Sequence, residues 1–316
     1  MKIRNTLASI VLIGAIAAGL SSKTASATES VYWTELGGSI RQQNTNQTNS
    51  TKLIYSVDRP RGIDLDTFNG DIYWTNDITG TIQRGNMNGT RGIETLVSGV
   101  GNMVYDVDLD TRNKEMYWTQ GNAIMKANLN GSNVEVVKSG LGYAIDIDLD
   151  PFHNKMYVVD FSPGKILCAN MDGSGDWETL VSGLNGPTDI TIDPVNHYMY
   201  YCLPYDGEIV RANLDGNQRQ IVSDRSVSWQ PNGVALDIPN GKMYFSDVLN
   251  DRVLRANLDG SNPELFYQGV GDVSPMKLAT TSPIPEPCTL FMIGLGGLYL
   301  IRNNKKNKSS CILQKD

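Results

Sequence analysis

The sequence predicts an all-β protein in which one sheet motif is repeated around a closed ring. A strand with a tyrosine recurs at spacings of 41, 44, 40, 43 and 44 residues, at Tyr32, Tyr73, Tyr117, Tyr157, Tyr200 and Tyr244. Each copy can be divided into four short strands, and a period in the low forties built from strands is typical of propeller blades. The predicted fold class is therefore a six-bladed β-propeller of four-stranded blades.

The strands within one unit follow from local patterns. The first alternates apolar and polar residues, as in "DVDLD" from Asp106, which is the pattern of a strand packed on a neighbouring sheet. A turn leads into the tyrosine strand, such as "MYWTQ" from Met116. The third strand, such as "VLRAN" from Val253, runs into Asp-Gly or Asn-Gly, a strong hairpin signal before the fourth strand.

The two ends of the repeat region predict how the ring closes. The first copy begins directly with the strand of Tyr32 and has no alternating strand before it. The segment "MKLAT", residues 276–280, resembles an alternating strand but has no tyrosine strand after it. We expect this C-terminal strand to complete the first blade, because closure hides sheet edges that an open ring would expose.

These motifs resemble a known repeat family. The Tyr-Trp-Thr strand, the Arg-Ala-Asn-Leu-Asp-Gly hairpin and the apolar-x-apolar-Asp strand are similar to the YWTD repeats of the low-density-lipoprotein-receptor class B type, over roughly residues 31–280. The resemblance implies a six-bladed propeller and says little about activity. The copy at Tyr157 lacks an aromatic residue after the tyrosine, and the copy at Tyr200 lacks both the tryptophan and the threonine, so the match is weaker there.

The N-terminal segment has the features of an export signal. Lys2 and Arg4 precede an apolar run from Leu7 to Leu20, and the small residues 25–27 (Ala-Ser-Ala) suit a cleavage site. The apolar run is shorter than the roughly 20 residues of a membrane-spanning helix. We expect a signal peptide at residues 1–27 and a propeller domain at residues 28–282.

The C-terminal segment, residues 283–316, combines Pro285, Glu286 and Pro287 with an apolar run from Leu290 to Ile301 and a basic tail. This arrangement resembles the PEP-CTERM sorting signal. The resemblance implies transient attachment to the inner membrane through the C-terminal helix, processing by an exosortase near the motif, and an extracellular or cell-surface location afterwards. A simple C-terminal membrane tail is the alternative, since basic residues behind an apolar run stop transfer across a membrane.

Composition and residue types restrict the function. A net charge of −7 and a pI near 5.0 argue against a nucleic-acid partner, which needs a basic surface. Both histidines, His153 and His197, lie in predicted turns, and no catalytic residue is assigned because no nucleophile elbow, phosphate loop or Cys/His metal motif is present. Cys168 and Cys202 lie in neighbouring units and form either a disulfide or two buried thiols.

Acidic residues recur in the first strand of the units. The aspartates seven residues before each tyrosine are expected to cap the following turn; they are Asp66, Asp110, Asp150, Asp193 and Asp237. Asp64, Asp108 and Asp148 stand two residues earlier, and Asp106, Asp146 and Asp189 lie beside them. Because innermost strands line the central channel, we expect these acids to converge there, relieved by hydrogen bonds, raised pKa values or a cation. Asp64, Asp108 and Asp148 are the candidate metal ligands, with Ca²⁺ the best-suited ion.

Aromatic residues divide into periodic and non-periodic ones. Tyr73-Trp74 and Tyr117-Trp118 occupy a fixed place in the unit and are expected to pack between blades. Trp177 and Trp229 fall outside the period and are the candidates for partner contact. The sequence thus favours an exported, non-enzymatic propeller that binds a protein or an extracellular polysaccharide. The alternative is a Ca²⁺-dependent hydrolase or lactonase, which needs a mixed ligand set that the repeated channel acids do not provide.

Overall fold

A computed structural model describes residues 30–35, 37–47, 52–99, 101, 103–269 and 275–280. The predicted signal peptide (1–27), the sorting segment (283–316) with Pro285, Glu286 and Pro287, and the cysteines at 288 and 311 lie outside the described residues. Within the described ranges, no helix is long and apolar enough to cross a membrane. The single helix found there is a 3₁₀ turn, Val248–Asn250.

Twenty-four strands form six antiparallel sheets of four, the six-bladed β-propeller that the repeat predicted. The strands of the first three blades, numbered in chain order, are β1 (Ser30–Glu35), β2 (Ser39–Asn44) and β3 (Lys52–Ser56); β4 (Pro60–Asp66), β5 (Asp71–Asn76), β6 (Thr81–Asn86) and β7 (Glu94–Val97); β8 (Val104–Asp110), β9 (Glu115–Gln120), β10 (Ala123–Asn128) and β11 (Glu135–Ser139).

The remaining strands are β12 (Ala144–Asp150), β13 (Lys155–Asp160), β14 (Lys165–Asn170) and β15 (Glu178–Ser182) in blade 4; β16 (Ile190–Asp193), β17 (Tyr198–Leu203), β18 (Glu208–Asn213) and β19 (Gln220–Ser223) in blade 5; β20 (Pro231–Asp237), β21 (Lys242–Asp247), β22 (Arg252–Asn257) and β23 (Glu264–Gln268) in blade 6; and β24 (Pro275–Thr280).

The C-terminal strand closes the ring as predicted. Blade 1 has the order β24-β1-β2-β3, so the last strand of the chain is the inner strand of the first blade. β24 pairs antiparallel with β1, with Val31 opposite Thr280 and Glu35 opposite Pro275. The N-terminal and C-terminal parts of the domain are therefore held together by one hydrogen-bonded ladder.

Six apolar clusters, one at each junction between neighbouring blades, form the core. In each cluster the tyrosine of one blade packs with the residue that follows the tyrosine in the next blade. The pairs are Tyr32 with Trp74, Tyr73 with Trp118, Tyr117 with Val158, Tyr157 with Tyr201, Tyr200 with Phe245, and Tyr244 with Trp33. The inter-blade packing predicted for Tyr73-Trp74 and Tyr117-Trp118 is confirmed, and Val158, Tyr201 or Phe245 takes the place of the tryptophan where it is absent.

The strand directions define two faces of the ring. The inner strand of each blade runs from the face we call the top to the face we call the bottom, and the chain then alternates direction through the blade. The bottom face carries the turns between the first and second strands. There the predicted caps are confirmed: Asp66 accepts hydrogen bonds from the backbone and side chain of Asn69 (3.0 and 2.6 Å), and the equivalent aspartates, all buried, bond their own turns in the same way.

Candidate binding site at the mouth of the central channel

The acidic residues of the channel join neighbouring blades. Asp106 Oδ2 accepts a hydrogen bond from the amide of Ile147 in the next blade (3.2 Å). The same contact recurs one blade further, where Asp146 accepts from the amide of Ile190 (2.6 Å), and again where Asp189 accepts from Val234 (2.7 Å). An inner strand has no ladder partner on its channel side, and these carboxylates satisfy amides that would otherwise be buried without one.

A second ring of the same contacts lies one pleat deeper in the channel and contains the candidate metal ligands. Asp64, Asp108 and Asp148 accept hydrogen bonds from the amides of the next blade, at Leu109 (3.0 Å), Leu149 (2.7 Å) and Ile192 (2.8 Å) respectively. Thr191 and Ala235 take the equivalent positions in blades 5 and 6, so this ring has carboxylates on one side of the channel. The three aspartates therefore have a structural role along the inner strands.

Two of these carboxyls also interact with each other. The amide of Leu109 donates both to Asp64 Oδ2 (3.0 Å) and to Asp108 Oδ1 (2.7 Å), which brings the two side chains into hydrogen-bonding contact. Burial raises the pKa of Asp64 to about 6. Burial also raises the pKa of Asp108 well above its usual range, and the charge of Asp64 adds to this effect. The pair thus retains a proton more readily than an exposed pair of carboxyls.

No metal centre is evident from this geometry. Among the described residues, no group of three or more His, Cys, Asp or Glu side chains is placed to hold a metal ion. Each of Asp64, Asp108 and Asp148 directs an oxygen to a backbone amide of the next blade instead. The hydrogen bonds and raised pKa values already relieve the repulsion among the acids, so the Ca²⁺ site stays a prediction to be tested by titration.

The top end of the channel opens into a cavity of about 230 Å³. Its lining comes from the inner strands and top loops of five blades and consists of Arg61, Gly62, Tyr105, Asp106, Tyr143, Ile145, Asp146, Phe161, Thr188, Asp189 and Asn232. Sites for drug-sized ligands usually measure about 300–1,000 Å³. The cavity suits one inserted side chain of a partner, or one sugar ring, better than a larger substrate.

An arc of four aromatic rings surrounds one side of this mouth. Tyr105 and Tyr143 lie edge to face with centroids 5.4 Å apart, and their hydroxyl groups are hydrogen-bonded to each other. Phe161 continues the arc 6.1 Å from Tyr143, and Tyr205 follows 6.5 Å from Phe161, both edge to face. Edge-to-face rings at these separations attract each other, so the arc is a pre-formed surface across blades 3, 4 and 5.

Backbone contacts hold the arc in place. Asp160 accepts hydrogen bonds from the amide of Tyr143 (2.6 Å) and from Gly142, and the amide of Phe161 donates to the carbonyl of Tyr143 (2.9 Å). In the neighbouring blade, Arg225 donates to the carbonyl of Tyr205 (2.6 Å). The ring of Tyr205 is nevertheless 55% exposed, so it presents an anchored aromatic face to a ligand.

A cation stands on the opposite side of Tyr105. Arg61 lies with its guanidinium carbon 5.0 Å from the centre of the Tyr105 ring, which is cation–π geometry. The Arg61 guanidinium also donates to Asp77 (2.6 Å). The mouth therefore combines aromatic surface, carboxylate oxygens, hydroxyls and one paired guanidinium. This set can bind by stacking and hydrogen bonding but contains no activated nucleophile.

The two tryptophans predicted for partner contact lie on different faces. Trp229 is 53% exposed in the top loop between β19 and β20, close to the loop that carries Tyr205. Trp177 lies on the bottom face before β15, where its indole N–H donates to the carbonyl of Ser139 (3.1 Å) and its ring packs on a blade junction. Both partner contacts stay predictions, and the position of Trp229 beside the mouth makes it the stronger candidate.

The other residues singled out from sequence have structural surroundings. Cys168 and Cys202 are both buried, as thiols and not as a disulfide. His153 bonds through Nδ1 to Asp150 (2.6 Å) in its turn on the bottom face, and His197 lies in the equivalent turn of the next blade. None of these four residues is among those that line the mouth.

Sequence reasoning missed Tyr105, Tyr143, Phe161 and Tyr205. A signal was present, because Phe161 and Tyr205 occupy the same top turn, between second and third strands, of adjacent blades. Tyr105 and Tyr143, by contrast, stand at different positions relative to their inner strands, five and seven residues before Asp110 and Asp150. Only the geometry of the ring brings them into contact.

Comparisons with known proteins agree on the fold. No family model and no curated protein matches the chain. Among solved structures, a chain in the crystal structure of the nidogen/laminin complex is similar, with a TM-score of 0.72, 19% identity, and coverage of 81% of this chain and 99% of that chain. The structure of a putative TolB from Agrobacterium tumefaciens gives a TM-score of 0.58 and 17% identity, covering 79% of this chain and 91% of that one. At these identities the likeness concerns the propeller fold alone.

Proposed function

We propose that this protein is a non-enzymatic binding propeller that holds a segment of a partner protein at the top mouth of its channel. The observation that carries the proposal is the anchored arc of aromatic rings at a cavity sized for one side chain: Tyr105, Tyr143 and Phe161 line the cavity, and Tyr205 extends the arc beside it. Exposed aromatic rings that are already held in place bind with little loss of conformational freedom, which is why they dominate interface hot spots.

A protein partner is favoured over a polysaccharide for two reasons. The cavity is a single recess of about 230 Å³ that opens at the top of the channel, whereas a polysaccharide needs an extended groove for several sugar rings. One of the similar propellers comes from the crystal structure of a complex between two proteins, nidogen and laminin. A hydrolase or lactonase ranks lower, because the channel carboxylates already accept amide hydrogen bonds between blades.

The binding test compares wild type with a variant altered beside the mouth and a control variant altered elsewhere on the surface. Tyr205→Ala combined with Trp229→Ala removes two exposed aromatic rings from the top face, and Ile221→Ala, 52% exposed on the outermost strand β19, is the matched control. Immobilised propeller is probed with secreted proteins of the source organism and with a glycan array. We expect a secreted protein to be retained by wild type and the control and lost with the double variant.

Two results would count against the protein partner. If the double variant retained the secreted protein as strongly as wild type does, the partner would bind somewhere other than the mouth. Binding of glycans alone, lost with the same variant, would establish the polysaccharide alternative.

We further propose that the chain is exported by its signal peptide and sorted through the Pro285–Glu286–Pro287 motif, with transient attachment to the inner membrane. The supporting observations are the basic and apolar segments at both ends of the sequence. The intact mass of exported protein tests this. Material that lacks residues 1–27 and everything beyond the neighbourhood of Pro287 is expected, and retention of the Lys305-Lys306 tail would contradict processing.

A further inference from the structure

We propose that the bottom face of the propeller contacts an anionic lipid bilayer, the one that holds the C-terminal apolar segment of the same chain. The surface consists of the turns between first and second strands, residues 67–70, 111–114 and 151–154. This inference rests on the membrane attachment suggested under Proposed function and adds an orientation and a second, weaker contact to it.

The position of the last strand directs this face toward the membrane. β24 is the inner strand of blade 1 and runs from Pro275 at the top to Thr280 at the bottom, opposite Val31. The chain therefore leaves the propeller on the bottom face, next to the axis. Nine residues, 281–289, separate Thr280 from the apolar run that begins at Leu290. A fully extended chain of that length spans at most roughly 30 Å.

So short a connection has an energetic consequence. Once the apolar run is inserted, the bottom face stays within roughly 30 Å of the bilayer, and its encounter with lipid becomes intramolecular at an effective concentration in the millimolar range. A surface with weak intrinsic affinity for lipid is then occupied much of the time.

The bottom face has an exposed aromatic residue suited to this contact. Phe68 stands at the tip of the turn between β4 and β5 and is 94% exposed. Blade 2, which contains this turn, directly follows blade 1, whose inner strand leads to the C-terminal segment. Phe152 is also exposed, at the equivalent turn of blade 4, with the Arg112 guanidinium carbon 4.3 Å from its ring centre. Aromatic side chains flanked by basic residues are typical of surfaces that lie in the membrane interface.

The charge of these inner turns suits anionic lipid, although the whole chain is acidic and the outer hairpins of the same face, between third and fourth strands, carry the exposed residues Asp172, Asp176, Asp215 and Asp259. The turns between first and second strands, residues 67–70, 111–114, 151–154, 194–197 and 238–241, contain Arg112 and Lys114 and no Asp or Glu. The aspartates that precede the turns are buried and bonded within them. Each Lys or Arg near an anionic membrane strengthens the attraction about fivefold. With the bottom face at the bilayer, the top mouth points away from the membrane, toward a partner.

Photocrosslinking tests the orientation directly. p-Benzoyl-phenylalanine replaces Phe68 in the unprocessed chain that still carries residues 283–316, reconstituted in vesicles of phosphatidylcholine with phosphatidylglycerol. The matched control carries the same residue at Leu249, which is 64% exposed on the top face. We expect lipid adducts, measured by mass spectrometry, to be several-fold more abundant from position 68. Arg112→Gln with Lys114→Gln, or pure phosphatidylcholine vesicles, should reduce the yield from position 68.

Flotation of the same vesicles separates the two proposals. Chain that fails to float shows that the C-terminal segment does not insert, and membrane attachment and this inference then fail together. Chain that floats but gives equal lipid adducts from positions 68 and 249 overturns the inference alone, as does a yield that is unaffected by removing the two cations.

Discussion

The wall and the mouth of the central channel belong to the same blades, yet they relate to the repeat in opposite ways. In the wall, the carboxylates of Asp64, Asp108 and Asp148 recur at equivalent positions, and each bonds the amide of the next blade. At the mouth, the rings of Tyr105 and Tyr143 stand at non-equivalent positions and meet only in space. The periodic acids therefore join neighbouring blades, whereas the aromatic contact at the mouth lies outside the repeat.

If this distinction holds, changes to periodic elements should alter stability strongly and changes to the mouth should alter it little. The largest effect is expected from removing β24. A chain truncated after residue 274 loses the inner strand of blade 1 and its ladder with β1. The loss should reach several kcal/mol, comparable with the total stability of about 5–15 kcal/mol that is typical of domains.

Thermal or urea unfolding measures this effect, and a chain truncated after Thr280 is the matched control. The control keeps β24 and lacks the same C-terminal segment. Equal unfolding midpoints for the two truncated chains would mean that β24 contributes little to closure.

A smaller but clear loss is expected from Asp146→Ala. The change leaves the buried amide of Ile190 without the carboxylate that accepts its hydrogen bond at 2.6 Å. An unsatisfied buried donor costs about 1–3 kcal/mol. Urea unfolding measures the loss, and Asp176→Ala, at an exposed acid in the same blade, should stay within about 0.5 kcal/mol of wild type. Similar losses of unfolding free energy for the two variants would mean that the periodic acids do not stabilise the fold.

The third prediction concerns the pH dependence of the carboxyl pair. Asp64 has a folded pKa of about 6, above the value of about 4 for an unfolded chain, and the pKa of Asp108 is raised as well. Such groups bind protons more tightly when folded, so their contribution is fully present below about pH 4 and is lost as pH rises through about 6. As the pH rises from about 4 to about 6, wild type should therefore lose stability and Asp108→Asn should become more stable relative to it.

Urea unfolding of wild type and Asp108→Asn at several pH values gives this difference, and other titrating groups largely cancel in it. If the difference in unfolding free energy between the two proteins were the same at every pH, the raised pKa values of this pair would be contradicted. Added Ca²⁺ tests the metal hypothesis in the same samples, because an ion at one hundred times its dissociation constant would stabilise the wild type by about 2.7 kcal/mol. Such a gain, abolished by Asp108→Asn, would establish a metal site instead of a hydrogen-bonded wall.

The smallest effect on stability is expected at the mouth. Tyr205→Ala with Trp229→Ala removes exposed rings, and surface changes of this kind usually stay within about 0.5 kcal/mol each. Thermal unfolding should therefore be nearly unchanged while partner binding is lost. A large fall in melting temperature would show that the aromatic arc supports the fold, and the contrast between wall and mouth would then disappear.

The sequence alone determined the blades, their number and their closure. A unit repeated at a fixed period cannot bury both of its faces alone, so the pattern from Tyr32 to Tyr244 predicts a closed ring. No alternating strand precedes the strand of Tyr32, and this missing inner strand predicts where residues 276–280 pair. The turn caps at Asp66 and its equivalents were also predictable, since their hydrogen bonds reach only three residues along the chain.

Only the tertiary structure shows which residues the channel acids and the aromatic rings of the mouth contact. Asp108 meets the amide of Leu149 forty-one residues away, and Tyr105 meets Tyr143 thirty-eight residues away. Such contacts depend on the angle and spacing between blades, which the pattern within one blade does not specify. A carboxylate directed into the channel could bind a cation or an amide, and the position of the next inner strand brings its amides within hydrogen-bonding distance of Asp64, Asp108 and Asp148.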